Sequence, residues 1–191
     1  MVWPICALAV WMKPLSPGLA QGCFDLLDIV VRRTPRFAAI LSEFSKLRGM
    51  PVEQVVETAQ TLDWLKQSDD GMAVVTPAGM RVLHVESYEA RLRLALLDYI
   101  EALKPAWVQS AVFGRARVLN FAGKSIAQVF TEAGLADGLD DDVVEFWDTM
   151  AAMARGQRSA SAMKTGRAGE RLTLAYEQER TGRMPKWVAV D

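Results

Sequence analysis

Three guanidinium groups fall close together at Arg32, Arg33 and Arg36. Arginine forks bond phosphate oxygens in pairs, so such a cluster suits a polyanion. Lys46, Arg48, Lys66 and Arg81 extend the cationic set, and Gln54 offers an amide of the kind that bonds a base edge. These eight residues are the candidate DNA-binding set. Other chemistries find little support. The single histidine, His84, and the cysteines Cys6 and Cys23 give neither zinc-ligand spacing nor a His-assisted nucleophile. No glycine-rich phosphate loop and no nucleophile–base pair occurs, so no metal site, no cofactor and no stand-alone enzyme is expected. The acidic run DGLDDD at 137–142 lacks the spacing of a calcium-binding loop. It reads instead as negative charge at the start of a following helix, where the helix dipole favours it.

Those side chains must be held by a body of ordinary composition. The chain has 191 residues, 51% hydrophobic and 24% charged, enough for one large or two small cores. Net charge is −1, so no whole-molecule basic field announces nucleic acid. The distribution is uneven. Residues 1–154 carry 14 basic against 19 acidic groups, and residues 155–191 carry 8 against 4. An acidic body with a basic tail suggests two parts with different tasks, or simply chance variation of the surface.

The apolar start VWPICALAVWM at 2–12 admits several readings. It lacks the basic residues that precede a secretory core and is too short to span a bilayer. A gene start at Met12, or a strand or helix packed on the core, are the alternatives to a signal peptide. A cytoplasmic location without membrane association is expected.

Apolar spacing marks the elements. FDLLDIVV at 24–31 predicts a helix, and Pro35 places a break at Thr34. Phe37, Ile40, Leu41, Phe44 and Leu47 are spaced as one face of a second helix over 36–48, stopped by Gly49. Pro51 opens a third over 51–65, with Val52, Val55, Val56, Ala59, Leu62 and Leu65 as its buried stripe. An Asp70-Gly71 turn leads into a strand, MAVVT. Helices followed by a polar hairpin, with the run from Leu62-Asp63-Trp64-Leu65 to Val75-Thr76-Pro77-Ala78-Gly79, resemble winged-helix sequences. In that fold the third helix usually enters the major groove. Here its polar face is expected to hold Glu53, Gln54, Glu57, Thr58, Gln60, Thr61 and Asp63, with no cation. Phosphate contacts dominate affinity, so scaffolding or dimerisation is as well supported as base reading.

The second half predicts helices at 88–103 and 124–135, and another, VVEFWDTMAAMAR, after the acidic loop. Gly114 with Arg115 and Arg117 reads as a basic turn, and Trp64, Trp107 and Trp147 as core. Residues 155–168 read as a linker or as the exposed start of a helix. A helix follows with Leu172, Ala175, Tyr176 and Glu179 on one face, then a turn at 181–185 and a strand at 186–191.

The segment GERLTLAYEQERTGRMPKWVAVD resembles the opening of the NO VEIN-type C-terminal domain. The clear likeness covers 166–191, and residues 88–155 are more loosely similar to the helical region preceding that domain. The resemblance implies a restriction-endonuclease-like fold in a bacterial restriction or phage-defence setting. It would make Glu170 the acidic residue on the first helix of the nuclease core, near a Mg²⁺ site built from carboxylates and a lysine. The family's Gly-Tyr-Asp segment and acid-x-lysine strand are absent through Asp191. Only the opening of that domain is therefore expected, with Mg²⁺ relevant only where the complete domain follows. The alternative for Glu170 is a surface carboxylate.

The expected architecture is mainly α with small β wings: a winged-helix-like domain over 1–86, a second helical unit over 87–156, and a linker with a truncated α/β segment over 157–191. The expected function is a non-catalytic DNA-associated or scaffolding part of a defence protein. The alternatives are a protein-interaction or homodimerisation subunit, or a transcription regulator.

Overall fold

A computed structural model describes residues 14–182, and among them the chain is mainly helical with two small antiparallel hairpins. Expectations for the apolar start and for the strand at 186–191 lie outside the described residues.

Helix α1 (Pro17–Arg33) begins earlier than the apolar run alone suggests. The Ser16 hydroxyl accepts the Leu19 N–H at 3.2 Å, and Pro17 occupies the first turn. Leu19, Cys23, Phe24, Leu26, Leu27 and Val30 are buried, so the helix runs through the core. It ends at Thr34, which takes a left-handed conformation (φ 44°) ahead of Pro35.

The second predicted helix is cut short. α2 (Phe37–Glu43) stops at extended Phe44, and the remainder forms a hairpin of β1 (Lys46–Leu47) and β2 (Met50–Pro51). Arg48 (φ 50°) and Gly49 (φ 79°) make its left-handed turn. The reason is tertiary: the hairpin lays Leu47 against α1, where its carbonyl would sit 3.3 Å from a Cβ at Gly22. Leu41, expected on the buried face, is exposed.

α3 (Val52–Thr61) buries Val52, Val55, Val56 and Ala59 as expected. It also buries Thr58, whose hydroxyl donates to the Gln54 carbonyl at 2.8 Å, so Thr58 leaves the polar face. The helix stops short of Leu65, which belongs instead to β3 (Leu65–Gln67). β3 pairs with β4 (Ala73–Val75) in the register Leu65↔Val75, Lys66↔Val74, Gln67↔Ala73. A further antiparallel bridge joins Arg36 to Met72, flanked by Phe37 N–H donating to Gly71 O and Ala73 N–H donating to Pro35 O.

α4 (Pro77–His84) rests on the Thr76-Pro77-Ala78-Gly79 sequence. The Thr76 hydroxyl accepts the Gly79 N–H at 3.1 Å and donates to the Asp63 carbonyl. A Cβ at Gly79 would stand 2.4 Å from the Trp64 carbonyl oxygen, so only glycine allows this approach. His84 lies exposed in its last turn.

α5 (Tyr88–Leu103) is capped by the Ser87 hydroxyl. The basic turn expected at Gly114, Arg115 and Arg117 is confined to Gly114 at φ 100°, which separates a 3-10 helix (Ala106–Phe113) from α6 (Arg115–Phe121), where both arginines lie. α7 (Lys124–Glu132) buries Ile126, Val129 and Phe130. Phe130 stacks on Trp147 at 5.3 Å and meets Trp107 and Phe146 edge-on. Trp64 is fully buried, whereas Trp107 and Trp147 pack against the core from its margin.

α8 (Asp141–Thr181) is one continuous helix of 41 residues, about 60 Å at 1.5 Å per residue. The linker reading of 155–168 is thereby corrected: small and basic residues there lack the proline or turn geometry that would break a helix. The buried face of α8 ends at Ala154, and the residues from Ala162 to Thr181 whose side chains are described are exposed apart from half-buried Leu174 and Glu177. Buried residues from Leu15 to Ala154 form one contiguous core, so the expected division near residue 86 is not a division of the core.

Candidate nucleic-acid interface

The eight candidate residues do not form one surface. Arg32 pairs with Asp28 one turn back on α1 at 3.0 Å. Arg48, at the β1–β2 turn, pairs with Asp25 of α1 at 2.6 Å. Arg81 on α4 pairs with Asp98 of α5. Each of these charges is locally neutralised, although exposed pairs of this kind are worth only about 0–1 kcal/mol. Gln54 is half-buried on α3, whose exposed groups include Glu53, Glu57 and Gln60. That face repels phosphate.

Arg33, Arg36, Lys46 and Lys66 are exposed and stand in no ion pair among the described residues. The strand register brings two of them together. Residues directly opposite each other on paired strands share a face, and alternate residues of one strand do so too. Lys66 lies opposite Val74, and Arg36 opposite Met72. Arg36, Met72, Val74 and Lys66 therefore line one face of the small sheet. The other face carries buried Leu65 and Ala73. Arg33 lies just ahead of Arg36, at the end of α1. Lys46 belongs to the separate β1–β2 hairpin.

The turn joining β3 to β4 is held by its own polar groups. The Ser68 hydroxyl donates to the Asp70 carboxylate and lies 3.0 Å from the Met72 carbonyl. That hydroxyl first, then the Met72 backbone N–H, keeps the Asp70 carboxyl below its ordinary range, with a smaller contribution from Arg36. Asp70 is thus an ionised carboxylate near the cationic face, and it weakens the local positive field.

Glu170 is exposed on the distal part of α8. Among the described residues, no group of three or more His, Cys, Asp or Glu side chains converges as a metal site. The acidic loop leads into α8 as expected, with Asp141 and Asp142 in the first turn of the helix, where its dipole favours negative charge. Asp140 stands at the start of α8 without a side-chain capping bond, while Asp142 pairs with Arg93 of α5. Arg93 also donates to the Ala133 carbonyl at 2.8 Å, tying α5, the end of α7 and α8 together. Cys23 is buried, its thiol aimed at the Val55 carbonyl, and burial raises its pKa far above the ordinary thiol value.

Two features escaped the sequence reading. Asp98 had no sequence signal, because its partners Trp64 and Arg81 come from other elements. Arg117 sits over the rings of both Phe113 and Phe121, at 4.9 and 5.9 Å. A usable signal existed there: from residue 102 to residue 131 the chain has basic residues and no carboxylate. No helix among the described residues is long and apolar enough to cross a membrane. The chain matches no known family model, no curated protein and no solved structure.

Proposed function

We propose that this chain is a winged-helix-type, non-catalytic module that touches the backbone of duplex DNA without reading its bases, within a restriction or phage-defence assembly. The order of α1, the Arg36 strand contact, α2, α3 and the β3–β4 hairpin supports the winged-helix reading. The bridge between Arg36 and Met72 supplies the short first strand beside the wing. The observation that carries the DNA reading is the placement of Arg36 and Lys66 on one sheet face, opposite Met72 and Val74, with neither in an ion pair among the described residues. Such a face contacts phosphates, whereas the acidic exposed face of α3 argues against major-groove readout. The defence setting rests on the NO VEIN-type resemblance of residues 166–191. Among the described residues Glu170 belongs to no cluster of three or more acidic, His or Cys side chains, whereas Mg²⁺-dependent cleavage needs several ligands around the ion.

Fluorescence anisotropy with a labelled 20-base-pair duplex tests the reading. Affinity should fall steeply between 50 and 200 mM salt, and the combined variant R36E/K66E should abolish it. Unchanged binding by that variant rejects this surface.

A protein-interaction or homodimerisation role is the second reading. It is favoured by the exposed apolar side chains of distal α8, Leu172 at 74% and Tyr176 at 63% exposure. A stable dimer in light scattering, with no duplex affinity at low salt, would select it.

A further inference from the structure

We infer that Phe113, Arg117, Phe121 and Arg158 form a stacking platform for single-stranded nucleic acid, on elements remote in sequence from the wing face and independent of the duplex-binding proposal. Phe113 and Phe121 close the 3-10 helix and α6, and they are 59% and 63% exposed. Burying such a ring is worth about 1.5–3 kcal/mol, so folding alone gives no reason to leave two of them in water.

The rings are interleaved with cations. The Arg117 guanidinium lies over both rings, and Arg158 of α8 lies over Phe113 at 5.1 Å. Arg158 also donates to the Gln109 carbonyl at 3.2 Å, which fixes α8 against the 3-10 helix. Neither arginine forms an ion pair among the described residues. The covalent neighbourhood deepens the charge. Lys104, Arg115, Arg117 and Lys124 fall between residues 102 and 131 without one intervening carboxylate. Arg115 is committed elsewhere, donating to the Gly138 carbonyl at 2.7 Å and lying over Trp147.

Exposed rings carrying unneutralised guanidinium groups over them match a polyphosphate whose bases are free to stack, on the guanidinium planes or on the rings. Duplex DNA keeps its base faces stacked inside the helix, so it can meet only the charge of this patch. The chemistry therefore selects single strands over duplexes, with every base accepted because every base has a π face.

The test uses the full chain and labelled dT20, U20 and a 20-base-pair duplex in anisotropy titrations at 50 mM salt. We expect F113A/F121A to weaken dT20 and U20 binding by about tenfold or more, in line with the loss of base–aromatic stacking. The single variant R117E should weaken it comparably without removing a ring. R36E/K66E should leave single-strand binding within about twofold, so failure of the wing reading and failure of this one are separable. Absence of single-strand binding by the wild type overturns the proposal. So does unaltered binding by both patch variants, or displacement of dT20 by heparin as readily from F113A/F121A as from wild type. A wild-type dimer that F113A/F121A converts to monomer, without single-strand affinity, would instead assign the patch to a second copy of the chain.

Discussion

The carboxylate of Asp98 accepts the Trp64 indole N–H at 2.7 Å, and its other oxygen accepts from Arg81. Trp64 sits at the corner after α3, Arg81 on α4 and Asp98 on α5, so one side chain joins the hairpin-bearing segment to the helical remainder. The Trp64 ring is fully buried, and its N–H would otherwise lack a partner. Removing the acceptor should cost more than removing the charge. We expect Asp98→Ala to lower stability by about 2–3 kcal/mol, and Asp98→Asn by less, because the amide oxygen still accepts. Urea unfolding with tryptophan fluorescence measures both, and equal losses would show that the indole bond contributes little.

Glycines in this chain divide by what stands beside them. At Gly79 an added Cβ meets the Trp64 carbonyl oxygen at 2.4 Å and Val75 Cγ1 at 2.7 Å. Gly79→Ala should destabilise by about 1–3 kcal/mol, since backbone cannot move aside cheaply. Gly166 and Gly169 lie within α8 with open space around them. Gly166→Ala and Gly169→Ala should each favour helix by about 0.8–1 kcal/mol. Circular dichroism at 222 nm should then rise or hold while the global unfolding midpoint stays put. A fall in helicity would mean that close packing against another surface depends on those glycines.

The Arg93–Asp142 contact predicts a specific acid sensitivity. The hydrogen bond from Arg93, reinforced by its charge, lowers the Asp142 carboxyl below its usual value. A group depressed in the folded state contributes stability above its unfolded pKa of about 3.9, and that contribution disappears as pH falls through the lower folded value. Asp142 is mostly exposed, so solvent screening keeps the contribution small. Urea midpoints of wild type and Asp142→Asn should differ at pH 6 and converge as the pH is lowered below 4. A constant difference across that range would remove the ionised pair as the cause.

The cationic candidates should separate by their partners. Charge reversal at Arg36 and Lys66 should weaken duplex binding strongly and flatten the dependence of log K on log salt by about 0.9 per lost phosphate contact. Reversal at Arg32 or Arg48, already paired with Asp28 and Asp25, should have at most a small effect. Anisotropy at four salt concentrations reads these slopes, and a larger loss at Arg48 than at Arg36 would place the contact face on the β1–β2 hairpin.

Local chemistry along the chain was sufficient for much of the fold. Apolar spacing, Ser and Pro signals and the Asp70-Gly71 turn determine that α1, α3, α5 and α7 exist, that a hairpin follows α3, and that Thr34 ends a helix. Each of those signals acts within a few residues, so tertiary context had little to override. The end of α2 was different. Lys46, Leu47 and Arg48 have helical spacing, yet packing of Leu47 over Gly22 outweighs the modest helical preference of a short segment. Of the two readings of 155–168, the linker failed and an exposed helical stretch fits, because weak helix formers lower helix stability without supplying a turn.

The site was less legible than the fold. The sequence by itself determined how many cations the chain carries and that α3 is acidic. Only the tertiary structure decided which cations remain available. Asp25 and Asp98 bring carboxylates to Arg48 and Arg81 from distant positions, while strand register sets Arg36 beside Met72 and Lys66 beside Val74. Charge is a property of one residue, but its neutralisation depends on what stands within a few ångströms: helical spacing supplies that neighbour for Arg32, whereas only long-range packing supplies it for Arg48 and Arg81.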